Sequence, residues 1–159
     1  MTVIKDGAIA ANGWTHVADG EALPAGAITV SLQRWQAEKA QLLPRRQTAG
    51  VRLMAADDPE TLKDDLPHLG LIVLDMAAFS DGRVFSQARL LRERFGYTGE
   101  LRARGDFLRD QMFFLARVGV NAFEFPGNTD LEDRLKAFQE FSVTYQAAAD
   151  NREPLYRRR

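Results

Sequence analysis

GLIVLDMAAFSDGRVFSQARLLRERFGYTGELRARGDFLRDQMFFLARVGVNAFEF, residues 70–125, decides the fold. It opens on Gly70–Met76 (GLIVLDM), a near-continuous apolar run of the kind expected from a buried parallel strand. Ser80 or Asp81 then opens a helix that runs to about Phe95–Gly96. Glu100–Ala103 reads as a strand, Asp106 as the cap of a second long helix (FLRDQMFFLARVG), and Asn121–Phe125 as a short strand. Strands alternating with helices at this spacing predict βαβ units and a parallel sheet.

Upstream, Ala27–Leu32 (AITVSL) and Gly50–Ala56 (GVRLMAA) read as two more strands. Between them Gln33–Leu43 is helical in composition and Pro44 ends it. Asp57 or Asp58 caps a helix with Pro59 in its first turn, stopped by Pro67. Downstream, Asn128 or Thr129 caps a last helix through about Ala147, and NREPLYRRR reads as a frayed tail. Residues 1–26 predict a small N-terminal β arm, in which Thr2–Ile4 and Trp14–Val17 form a hairpin or meander around Asp6–Gly7 and Asn12–Gly13. The expected architecture is one α/β domain over residues 1–159, with a mainly parallel sheet of about five strands. Two shapes are open: a flat doubly wound sheet, or a TIM-like half barrel whose strands face a shared polar interior.

The chain has 159 residues, 45% hydrophobic and 27% charged, with a formal net charge of −1, the profile of one globular domain rather than a disordered chain. Its pI of about 6.1 argues against a protein built to hold duplex DNA. The absence of cysteine excludes disulfides, thiol nucleophiles and Cys-ligated metals. The N-terminal residues do not read as a secretory signal, and the apolar runs Leu71–Leu74 and Met76–Phe79 are too short to span a bilayer. A cytoplasmic protein with no nucleic-acid or membrane partner is expected. No G-x-G-x-x-G or P-loop pattern is present, so no cofactor is evident. His16 and His68 are too far apart in sequence for a helical metal pair, so no metal is expected.

Several strands carry a charge where a fully covered sheet would hold an apolar side chain: Arg52 among Val51, Leu53 and Met54, Asp75 near a strand end, Arg102 between Leu101 and Ala103, and Glu124 between Phe123 and Phe125. Unpaired buried charge is costly, so these groups must pair or reach water. They form either a structural arginine–carboxylate network or a polar face that holds a ligand.

Arginine outnumbers lysine, 17 to 4. Arg89, Arg92 and Arg94 read as a solvated helix face. Asp81–Gly82–Arg83 and Arg102–Ala103–Arg104–Gly105–Asp106 each close a strand and open a helix. In a parallel sheet both turns would share one edge, making Arg83, Arg102, Arg104, Gly82 and Gly105 a candidate anion crevice. Asp81 and Asp106 would cap the helices or neutralise the arginines. Asp75, Asp106 and Glu124 are the acid/base candidates if the protein is an independent enzyme acting on a small anionic metabolite. The helix Phe107–Val118 is apolar around much of its circumference, which predicts a homodimer.

Asp81–Gly82–Arg83, Ala88–Arg94 (ARLLRER), Gly99–Ala103 (GELRA), Gly105–Asp106, Asp110–Gln111 and Phe123–Glu124, with Gly50–Val51–Arg52 and Leu32…Arg34–Trp35 upstream, resemble the bacterial domain-of-unknown-function family 934. The resemblance covers roughly residues 32–145. Genes of that family often neighbour assimilatory sulfite reductase genes. The resemblance therefore implies an accessory protein or oxidoreductase of assimilatory sulfite reduction, binding sulfite reductase or a small oxyanion. It brings no established catalytic residue. This chain has Val84–Phe85 where the family favours Gly–Tyr, and Val118 where a cysteine is common, so a thiol role cannot operate here.

Overall fold

The computed structural model describes residues 2–77, 82–127 and 129–140. Eight strands form one sheet: β1 (Thr2–Lys5), β2 (Ala8–Ala11), β3 (Thr15–His16), β4 (Ile28–Ser31), β5 (Ala49–Leu53), β6 (Leu71–Asp75), β7 (Glu100–Arg104) and β8 (Ala122–Glu124). Their spatial order is β2-β1-β8-β7-β6-β5-β4-β3. From β3 to β8 each strand lies parallel beside its successor, while β1 runs antiparallel to both β8 and β2.

The five strands read from sequence are β4 to β8, and all five are parallel. The sheet is nonetheless mixed and larger than expected, because the N-terminal arm supplies three more strands. Asp6 (φ 50°) and Gly7 (φ 79°) make the tight two-residue turn that pairs β1 with β2. Trp14–Val17 does not return to β1. Thr15–His16 instead pairs with β4 at the opposite edge of the sheet.

A doubly wound sheet is excluded by the strand order. It needs a point where the order reverses, and here the parallel strands are consecutive. Right-handed crossovers between consecutive strands carry the helices that link them to the same face. Among the described residues the other face bears no helix, and the sheet curls inward on it as a half barrel. Chain connectivity demands the curl. Eight strands laid flat would separate the outer edges by about 34 Å, at ~4.8 Å per gap. Ala11 on one edge and Thr15 on the other are four residues apart, a reach of about 14 Å. Asn12–Trp14 is thus a strap across the mouth of the half barrel.

The helices are α1 (Leu32–Ala37), α2 (Lys39–Leu42), α3 (Arg83–Arg89), α4 (Arg109–Arg117) and α5 (Leu131–Glu140). The core fills the space between them and the outer face of the sheet, where Val51, Leu53, Ile72, Leu74, Leu101 and Phe123 are buried with Trp35, Leu42, Leu91 and Phe107. The indole N–H of Trp35 donates to Asp65 Oδ2 at 2.9 Å, which satisfies the one polar atom that this side chain buries.

Several helix expectations need correction. The helical stretch before Pro44 is broken at Glu38; its α part ends at Leu42, and Pro44 sits in the first turn of a 3-10 segment, Leu43–Thr48. Asp58 does cap, accepting from Glu60 N, but only a 3-10 turn follows (Pro59–Leu62), and a second turn holds Leu66–His68. Asp106 is not the cap of α4. That helix starts later, with Gln111 Oε1 accepting from Leu108 N at 2.9 Å. Phe107 must first turn into the core, where it is fully buried, so the chain stays extended past Asp106. Arg92 is not on a solvated face: α3 runs on into a π-type turn, Leu90–Arg94, and Arg92 donates to the carbonyls of Tyr97, Gly99 and Gly119 and to Asn121 Oδ1. The caps expected at Ser80, Asp81 or Asn128, the last helix beyond residue 140 and the tail lie outside the described residues.

Candidate functional site

Alternation along each strand sends one set of side chains to the helices and the other to the concave face. The register stacks the concave set into three layers. The lowest holds His16, Thr29, Gly50, Leu71 and Glu100. The middle holds Ser31, Arg52, Val73, Arg102, Ala122 and Lys5. The upper holds Asp75, Arg104 and Glu124. The strand charges singled out in the sequence therefore share one face.

Arg102 lies at the centre and is 2% exposed. Its Nε and Nη2 donate to Glu100 Oε1 at 3.0 and 2.7 Å, and Nη1 donates to Glu124 Oε2 at 3.1 Å and to Asn12 Oδ1 at 2.9 Å. Lys5 Nζ reaches the other oxygen of Glu100 at 3.0 Å. Arg104, about a third exposed, bridges Glu124 Oε1 at 3.3 Å and Asp75 Oδ2 at 3.2 Å. Arg102 is thus held in a structural arginine–carboxylate network, and Arg104 sits at its accessible end, paired with two of the same face's carboxylates.

The expected crevice does not form as drawn. Arg102 is saturated by two carboxylates and buried, so it cannot turn to an anion at the sheet edge. The reason is its register: it faces the barrel interior one full pleat below the strand end. Arg83 is exposed at the first residue of α3, after the carboxyl end of β6, and Arg104 ends the neighbouring β7, so those two do share an edge. Gly105 (φ 155°) is required there, because a Cβ would stand 2.8 Å from Met76 O. At Gly82 a Cβ would meet nothing within 4 Å. Asp106 faces solvent and lies 3.5 Å from Arg134 of α5, outside the charged face, whereas Asp75 and Glu124 lie within it. Asp81 falls outside the described residues.

Sequence reading passed over Arg52 and His16 as site residues. Both line two adjoining cavities, of about 200 Å³ and about 370 Å³. Thr29, Trp14, Val73 and Arg102 help to wall the first, and Ser31, Asp57 and Asp75 the second. His16 Nδ1 pairs with Thr29 Oγ1 at 3.1 Å. Partial burial, then the charges of Arg52 and Arg104, hold the His16 imidazole below the ordinary histidine value. Burial, then Arg104, likewise lowers the Arg52 pKa. The signal for Arg52 was its place between Val51 and Leu53; nothing local distinguished His16, whose partner strand begins at residue 28.

Among the described residues no group of three or more His, Asp or Glu side chains is placed to hold a metal ion. No helix among them is long and apolar enough to cross a membrane. A family model described as a bacterial protein of unknown function (DUF934) matches residues 50–156. The chain belongs to the DUF934 family. The DUF934 match takes in Arg52, Asp75, Arg102, Arg104 and Glu124, whereas the strap and His16 precede it. No match was found among curated proteins or among solved structures.

Proposed function

We propose that this DUF934 protein is a cytoplasmic accessory protein or oxidoreductase of assimilatory sulfite reduction, which binds a small oxyanion or sulfite reductase itself. The observation that supports this most is the charge balance of the concave face. On the strands of that face Lys5, Arg52, Arg102 and Arg104 outnumber the carboxylates Asp75, Glu100 and Glu124 by one, while Asp57 and Asp19 of the adjoining loops accept from Met54 N and the Ser31 hydroxyl. Sulfite is a compact anion with several acceptor oxygens, which suits a guanidinium donor. The alternative, an independent enzyme using Asp75, Asp106 or Glu124 as acid or base, draws less support. Asp75 and Glu124 already accept from Arg104, and Asp106 stands apart from them.

A deletion strain of the native host is expected to grow with cysteine and to grow poorly with sulfate as sulfur source. Sulfite reductase is expected among the proteins that co-purify with the tagged chain. Equal growth on both sources, with no sulfite reductase recovered, rejects the reading.

The same reading includes a homodimer formed through α4. Met112, Leu115 and Ala116 of that helix are buried in the chain's own core, while Leu108 and Phe114 remain 58% and 50% exposed. Sedimentation at tens of micromolar is expected to give twice the 17.8 kDa chain mass, and a monomer there removes the dimer from the proposal.

A further inference from the structure

Arg52 has no choice of face. Val51 and Leu53 are fully buried among the helices, so the residue between them must enter the concave side. Its side chain is only 17% exposed there. The nearest carboxylate oxygen, Asp75 Oδ2, stands 3.8 Å from Nη1, beyond hydrogen-bond reach, and already accepts from Arg104 at 3.2 Å. Nε is buried with no partner. The contrast with Arg102, two strands away on the same layer, is complete: there every guanidinium nitrogen donates.

A guanidinium carries five N–H donors, and a native fold rarely buries such a group without acceptors. The carboxylates nearby are already engaged: Glu124, which lines the same cavity, accepts from Arg102 and Arg104, and Asp57 accepts from Met54 N. Ser31, its neighbour on β4, donates its hydroxyl to Asp19 at 2.7 Å, and Val73, its neighbour on β6, is apolar. What Arg52 does border is space. The cavity of about 200 Å³ has room for several waters at ~30 Å³ each, and His16 flanks it with Nδ1 tied to Thr29.

We propose that this cavity binds a small oxyanion of sulfur or phosphorus, held by the Arg52 guanidinium and the His16 ring, with Arg104 adding charge from the upper layer. The site rests on the oxyanion reading of the concave face given above. Arg52 supplies a planar fork for two oxygens, and His16 adds a donor when protonated. The charged groups that face His16 or share its cavities are Arg52 from β5, Arg102 and Arg104 from β7, Asp75 from β6, Glu124 from β8, Asp57 from the loop after β5 and Asp19 from the loop after β3. A bound anion offsets the arginines, so it makes the imidazole easier to protonate, and by linkage binding tightens as the pH falls.

The chain has two histidines, so its imidazole NMR spectrum reads the site directly. The purified full-length protein is titrated with sulfite, sulfate, phosphate and acetate, and calorimetry gives the affinities. The expected result is that sulfite, sulfate or phosphate moves the His16 resonance and raises its pKa, while His68 does not respond. Arg52→Gln is expected to weaken that binding ten- to hundred-fold with the fold intact, and Arg52→Lys to weaken it less. If neither variant folds, the wild-type titration still decides. An unmoved His16 with all four anions at millimolar concentration overturns the site. Acetate binding as tightly as the others overturns the assigned ligand class. A deletion strain that needs cysteine while no anion binds leaves the sulfite reading standing and removes the site. Anion binding without a growth phenotype does the reverse.

Discussion

Arg102→Ala is expected to destabilise the fold by about 3–5 kcal/mol, the range for breaking a buried ion pair from one side. The substitution removes donors from Glu100, Glu124 and Asn12 in one step. Glu100 keeps Lys5 at 3.0 Å and Glu124 keeps Arg104 at 3.3 Å, yet both carboxylates are largely buried and lose their shortest or most central partner. Asn12 loses its bond to Arg102 as well, which loosens the strap over the middle of the barrel. Arg102→Lys should lose less, because the charge remains, but it cannot reproduce a fork that spans two carboxylates and an amide. Urea unfolding of the two variants checks this. A loss below about 1 kcal/mol for Arg102→Ala would place the network in the class of surface ion pairs, where water replaces a lost partner.

Phe107→Ala should cost as much through different physics. The ring is fully buried and meets Phe123 and Phe125 edge to face, with centroids 6.2 and 5.7 Å apart. Truncation removes the burial of the ring and leaves a void that the sheet cannot fill, since Phe123 and Phe125 are fixed by β8 and the residue after it. The expected loss is about 3–5 kcal/mol. Phe107→Leu retains most of the volume and should lose clearly less. Equal losses for the two variants would show that ring packing, not the void, dominates.

How far the sequence could be read follows from where its constraints are local. β4 to β8 are legible because every second position of each must be apolar to pack under the helices, and no distant residue changes that. The polar face is legible because Arg52, Arg102 and Glu124 each interrupt an apolar run. β2 is not: Ala8–Ala11 has little strand preference, and its pairing comes from the Asp6–Gly7 turn and from β1. β3 is not either, because two turn signals on either side suggest a nearby partner, while the true partner begins at Ile28. The site expectation erred on direction rather than on residues. Position next to a helix start suggested that Arg102 and Arg104 act together at the edge, but alternation places Arg102 one pleat deeper. Arg52 became a site residue only once β6 and β7 had put Asp75 and Arg104 beside it.

The strap also sets the order in which the molecule can be made. β1 hydrogen-bonds to β8, Asp6 N donates to Asn121 O at 2.8 Å, and Asn12 bonds Arg102, so these residues leave the ribosome long before their partners. At about 5–20 residues per second of synthesis, the N-terminal hairpin waits several seconds without its neighbour. Contacts so distant along the chain add a slow step to folding, because a long loop must close before they form. The parallel strands can assemble in the order of their synthesis, and closure of the barrel mouth, with the burial of Arg102 that depends on it, comes last. A nascent chain halted before β8 is therefore expected to carry an open, charged concave face and an unpaired strand edge, the state in which a chaperone would meet it.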